Sequence, residues 1–169
     1  LLMVSATFTG LIITHFESAL AAQVALTAFI PMLMDTGGNS GSQACVSIIR
    51  GISLNEIEFR DLGRVVWKEI RVSVLCGVCL AIACFAKIIV VDMLLLKSES
   101  VTYLVAFVVC ATMAVTVCLA KIVGSTLPLL AKKLGFDPAV MASPIITTIV
   151  DFLSLLVYFA FATAMLGIG

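Results

Sequence analysis

Asp151 lies in the middle of an otherwise apolar run, DPAVMASPIITTIVDFLSLLVYFAFATAMLG, residues 137–167. A carboxylate at the centre of a lone membrane helix costs at least ~2.5–3.5 kcal/mol on insertion scales. Its surroundings must supply a reason for that cost. On a helix of ~100° per residue, Asp137, Pro144, Thr147, Thr148, Asp151, Ser154 and Tyr158 fall within about 60° of one line. The other faces carry Ile, Val, Leu, Phe and Ala. Pro144 deepens the polar stripe, because it leaves the carbonyl of Val140 without a helical donor. Such a stripe faces a water-filled cavity or the protein interior, not lipid. Ser and Thr alone would fit a helix-packing seam equally well; the central Asp favours an ion or substrate pathway.

A second polar segment, PMLMDTGGNSGSQA at residues 31–44, follows the apolar stretch from Ala19. As a loop it would need a complete span on each side, and Cys45–Ile49 is far too short to cross. The segment therefore belongs to the inner half of a span, with Arg50 at the cytoplasmic edge. Pro31 can kink that helix, and Gly37, Gly38 and Gly41 permit close backbone approach or local unwinding. Asn39 and Gln43 lie four apart on one face. Non-helical backbone at this depth is tolerated only where it lines a cavity. Carbonyl and amide oxygens with a carboxylate nearby make an all-oxygen lining, suited to hard cations. With so few carboxylates the ion keeps much of its water, as Mg²⁺ prefers.

The elements that must position these groups are helices in a bilayer. Of 169 residues, 62% are hydrophobic and 12% charged, and net charge is zero. Soluble domains are about 25% charged, so the chain reads as an all-α integral membrane protein. It has no basic patch for nucleic acid. The six Cys lie inside apolar runs and read as small hydrophobes, Cys76-Gly-Val-Cys79 included. His15, beside Glu17, reads as interfacial. Five spans are expected: Leu1 to about Thr14, Ala19–Ile49, about Val72–Val91, about Tyr103–Leu130 and about Ala139–Leu166. The first rises only ~21 Å, as expected of a chain that begins inside a helix of a longer protein. Arg50, Arg60, Arg64, Lys68 and Arg71, then Lys132 and Lys133, place two connections in the cytoplasm. The amino end is then cytoplasmic and the carboxyl end outside. Ser53-Leu-Asn-Glu56 reads as a capping box opening an amphipathic surface helix that carries Leu54, Ile57, Leu62, Val65, Val66 and Ile70. Gly135 suits a helix C-cap, and Asp137-Pro138 an N-cap followed by proline.

PMLMDTGGNSGSQA followed by IIRG, together with LGFDPAVMASPIITTIVDFLSLLVYF, resembles the MgtE family of magnesium channels and transporters. The resemblance covers the whole chain. It implies a transmembrane pore domain over residues 1–169, five helices per chain, and a homodimer in the cell (inner) membrane with one pore lined by the second and fifth helices. It also implies Mg²⁺ as the transported ion. Asp151 is similar to the ion-selecting carboxylate, Thr147 to a position whose backbone oxygen helps the hydrated ion, and Asn39 with Gly37 and Gly38 to the pore wall. Pro31, Asp35, Gln43, Ser143, Pro144, Thr148 and Ser154 are expected to line the same pore. The family's amino-terminal helical and paired CBS domains have no counterpart in these residues. Asp35 departs from the family pattern, which usually has a small uncharged residue there. A Na⁺- or H⁺-coupled divalent cation exchanger needs the same kind of midplane site. Asp35-Thr36-Gly37 also spells the tripeptide of aspartic proteases, but the strand-rich fold and the G-x-G-D of intramembrane proteases are both missing, so no enzyme is expected. A plain membrane anchor would gain nothing from a central Asp.

Overall fold

A computed structural model describes residues 2–141 and 144–167. Among the described residues six α-helices follow in order: α1 Leu2–His15, α2 Glu17–Ala22, α3 Ile30–Ser53, α4 Leu62–Lys87, α5 Tyr103–Lys133 and α6 Pro144–Leu166. Short 3₁₀ turns lie at Val24–Phe29, Phe59–Asp61 and Pro138–Met141, and α4 continues as a π-helical stretch, Ile88–Leu95. No strand occurs among the described residues. Phe59–Leu95, Tyr103–Lys133 and Pro144–Leu166 are long and apolar enough to cross a membrane. The other two expected runs are α1, too short on its own, and the broken α2–3₁₀–α3 unit, whose α3 carries the polar segment.

α5 is the central helix and packs against α3, α4 and α6, while α3 also packs on α6. The main core gathers Leu26, Phe29 and Leu33 with Val105 and Val109 of α5 and Phe159 of α6. A smaller cluster, Cys45, Ala120, Ile146 and Val150, holds α3, α5 and α6 together. Glycine makes these crossings close. A methyl group on Gly124 of α5 would be driven into the carbonyl oxygen of Gly41 of α3. Small residues at helix crossings are the usual way membrane helices approach, since lipid offers no hydrophobic drive between them.

Several local expectations are corrected. Of the two possibilities at Gly37, Gly38 and Gly41, the structure takes close approach: α3 is continuous through them and does not unwind. The irregular backbone lies earlier, at Gln23–Phe29, and Pro31 sits in the first turn of α3 rather than kinking it from within. Proline there sacrifices an N–H that has no helical partner anyway. The freed polar groups upstream find partners elsewhere. Tyr158 Oη donates to Leu26 O at 2.9 Å, and Gln23 Nε2 donates to Ser100 O at 2.7 Å. Pro144 likewise opens α6 instead of interrupting it. Ser53 ends α3, donating to Ile49 O, and the capping box is formed by Glu58 and Asp61. The expected surface helix is therefore the start of α4, and Ile57 folds back over Gly51. At the next connection Gly135 adopts φ +80°, and Asp137 Oδ1 accepts from Ala139 N at 2.9 Å, as the turn chemistry requires.

Candidate functional site

α3 has two edges. Gly37, Gly38 and Gly41 are buried, while Asp35, Asn39 and Gln43, spaced four apart, are exposed. The glycine edge sets how close α6 can come. A Cβ on Gly37 would stand 2.7 Å from Thr116 Cγ2, 2.9 Å from Val150 Cγ1 and 3.0 Å from Ser154 Oγ. One residue on, a Cβ at Gly38 would meet Thr147 Cγ2 at 3.2 Å and Asp151 Oδ1 at 3.8 Å. The absence of side chains on α3 thus brings the Asp151 carboxylate against its backbone.

Beside this contact lies an open recess of about 420 Å³. Asp35, Gly38 and Asn39 line it from α3, and Thr147 and Asp151 from α6. Ile30, Pro31 and Met34 form its apolar end. Two carboxylates and an amide therefore converge with Thr147, whose hydroxyl donates to Pro144 O at 3.2 Å, from segments more than a hundred residues apart. All can offer oxygen, the donor type of a hard cation. Among the described residues no trio of His, Cys, Asp and Glu is placed to hold a metal. An ion at this recess would meet few charges from one chain and would retain water.

The other expected site residues are distributed differently. Gly37 faces α5 and α6 rather than the recess. Ser154 is buried and donates to Val150 O at 2.6 Å, so it belongs to the helix seam. Thr148 donates to Pro144 O at 2.7 Å and lines an apolar groove with Phe8 and Phe152. Tyr158 is fully buried. The polar stripe of α6 therefore divides, with Thr147 and Asp151 on the recess and Ser154 and Tyr158 in the core. Gln43 lines a second recess of about 340 Å³ between α3, α4 and α5, with Thr36, Ser40 and Lys121. Asp35 and Asn39 border both recesses. Ser143 lies outside the described residues.

Two features escaped sequence reasoning. Lys121 of α5 pairs with Glu69 of α4 at 3.7 Å, with side chains 13% and 12% exposed. Lys121 is a charge inside the apolar run of α5, a signal present in the sequence, but its partner depends on the fold. The second feature is Thr116, whose hydroxyl is buried without a hydrogen-bond partner and whose methyl fills the space left by Gly37.

Residues 30–161, from the start of α3 to near the end of α6, match the MgtE family, described as divalent cation transporters. The chain belongs to the MgtE family. Curated relatives agree across almost all of it. A magnesium transporter MgtE of Bacillus subtilis (strain 168) is 36% identical over 166 residues, covering 98% of this chain and 35% of the relative. The magnesium transporter MgtE of Thermus thermophilus is 34% identical over the same share of each. That of Enterococcus faecalis is 30% identical over 155 residues, covering 92% of this chain and 32% of the relative. The chain thus spans about a third of the length of these relatives. The family is one of transporters, which removes the protease reading of Asp35-Thr36-Gly37. That tripeptide lies inside a helix, not at a strand turn.

Proposed function

We propose that this chain is the membrane-embedded pathway for Mg²⁺ in an MgtE-type transporter. The observation that carries the reading is the convergence of Asp151, Thr147, Asp35 and Asn39 on one open recess at the α3–α6 contact. Mg²⁺ gives up its water reluctantly and is held through one or two carboxylates. Six waters at about 30 Å³ each need about 180 Å³, so a recess of about 420 Å³ admits the hydrated ion. Asp151 acts as the charge that holds it, Thr147, Asn39 and Gly38 as the wall, and Pro31 and Asp35 as the lining towards one end.

The recess is open on one side, and a single chain supplies only two carboxylates to it. A second copy related by a two-fold axis would close it and double the charge around one axis. α3 and α6 of both copies would then line one pore. In this arrangement α1, the α2–α3 unit, α4, α5 and α6 give five crossings of the cell membrane. The basic connections at 50–71 and 130–137 lie in the cytoplasm. The relatives are named magnesium transporters, which supports Mg²⁺ as the substrate.

The test is flux into proteoliposomes that hold this chain alone. Mg²⁺ uptake driven by its own gradient, unaffected by Na⁺ or pH gradients, supports the pathway reading. Uptake that requires a Na⁺ or H⁺ gradient establishes a coupled exchanger instead, and no uptake of any divalent cation refutes the proposal.

A further inference from the structure

The Lys121–Glu69 pair joins α5 to α4 beside the second recess. Lys121 lines the second recess, whose α3 wall is the same Asp35–Asn39 edge that borders the Asp151 recess. The edge is one helix wide, with an ammonium on one side and the Asp151 carboxylate on the other. Charged side chains inside a spanning segment are costly and mark pathways unless paired. Here the pair is incomplete as a hydrogen bond, because 3.7 Å exceeds the usual N–H···O range. Lysine is a compact charge on a flexible four-carbon stem, so its position depends on what attracts it. Two carboxylates compete for it: Glu69 at 3.7 Å, and Asp35 across the shared recess.

We propose that Glu69 is a positioning residue that holds the Lys121 ammonium away from Asp35 and so keeps the α3 edge negative for a divalent cation. This rests on the Mg²⁺ reading above. Without Glu69, the ammonium turns to Asp35 and neutralises one of the two carboxylates at the ion recess. A fixed positive charge then competes with the ion for the same wall. Without Lys121, the competitor is gone and Glu69 adds a further negative charge nearby. The pair therefore tunes ion affinity in opposite directions depending on which member is removed. A purely structural bridge predicts that either loss lowers stability, with no such opposition.

The experiment is isothermal titration of the purified chain in detergent with MgCl₂, for the parent, Glu69→Gln, Lys121→Gln, Glu69→Gln/Lys121→Gln, and Asp35→Asn with and without Glu69→Gln. Glu69→Gln weakens Mg²⁺ binding about tenfold, equivalent to ~1.4 kcal/mol. Glu69→Gln/Lys121→Gln returns to within about twofold of the parent, because the paired charges are removed together. In an Asp35→Asn background, Glu69→Gln changes affinity less than about twofold, since the ammonium has no carboxylate to occupy. A folding defect lowers the number of competent sites and leaves their affinity unchanged, so the two effects separate in one titration. Should Glu69→Gln not yield folded protein, Lys121→Gln carries the test alone: its Mg²⁺ affinity rises about threefold or more, and a fall overturns the proposal. Parent-like affinity in Glu69→Gln, or a double variant as weak as Glu69→Gln, also overturns it while leaving the Mg²⁺ reading intact. A parent chain that binds no Mg²⁺ overturns the Mg²⁺ reading and this inference together.

Discussion

Replacing Asp151 by Asn removes a charge and almost nothing else. The side chain keeps its volume and one oxygen, so the recess and the close Gly38 contact should survive. A hydrated Mg²⁺ beside the carboxylate would stand ~4–5 Å from it, its water between them. At an effective dielectric of ~20, a divalent ion at that distance is attracted to one carboxylate by about 7 kcal/mol. Asp151 is only half-buried and the recess is open, so solvent screens much of this. The ion's own water compensates for more. A net loss of about 1–3 kcal/mol remains, or roughly 10- to 100-fold in Mg²⁺ affinity. Selectivity for Mg²⁺ over Na⁺ falls with it, since a doubly charged ion loses twice the attraction of a singly charged one. Asp35→Asn is the control. Asp35 is exposed and lies one turn from Asn39, bordering the Asp151 recess and the second recess alike. Its loss is expected to be milder, altering conduction more than selectivity. Isothermal titration of each purified variant gives affinity, and Mg²⁺-dependent growth of a transport-deficient host gives function. The reasoning is refuted if Asp151→Asn binds and carries Mg²⁺ like the parent while Asp35→Asn abolishes both.

Three further outcomes follow from the packing and the charge pattern. Gly124→Ala drives a methyl into the Gly41 carbonyl and separates α3 from α5; overpacking of this kind costs about 1–3 kcal/mol, read as a lower melting temperature in detergent. Gly63→Ala, in α4 with nothing within 4 Å of the added Cβ, should melt at or slightly above the parent, because alanine favours a helix over glycine. Tyr158→Phe removes the donor to the buried Leu26 carbonyl and destabilises the chain by about 0.5–2 kcal/mol, with Mg²⁺ affinity by titration unchanged because Tyr158 lies in the core. Finally, cysteines placed in a Cys-free background should react with an impermeant thiol reagent from outside the cell at Lys97 and Glu17, and not at Arg60 or Lys132; the opposite labelling pattern reverses the proposed orientation.

Much of the candidate site was legible because a polar group in an apolar run needs a physical reason. Asp151 and Thr147 stood out on that ground, as did Asn39 and Gly38, and the structure brings all four to one recess. The errors share one cause, which is that a single sequence does not show what lies opposite. Three glycines within five positions left close backbone approach and local unwinding both open, and only the facing helices decide between them. In the fold Gly37 and Gly41 are the surfaces on which Thr116, Val150, Ile146 and Ala120 pack, and that contact keeps α3 regular. The break moved to Gln23–Phe29, whose leading residues look like any apolar stretch; its stabilising partners, Tyr158 and Ser100, are far along the chain. Ser154 and Tyr158 were assigned with Asp151 because periodicity places them on one line, yet a helix wedged between two neighbours has no single polar face. The same limit hid the partner of Lys121. A lysine in a span signals an unpaid electrostatic cost, and only the crossing of α4 and α5 identifies Glu69 as the group that offsets it. α3 consequently meets two demands at once: its glycine edge must stay bare for α5 and α6 to approach, and on the proposed Mg²⁺ reading its carboxylate–amide edge must stay negative. Changes on the first edge should therefore register as stability, and changes on the second as ion affinity, even at residues as close as Gly37 and Asn39.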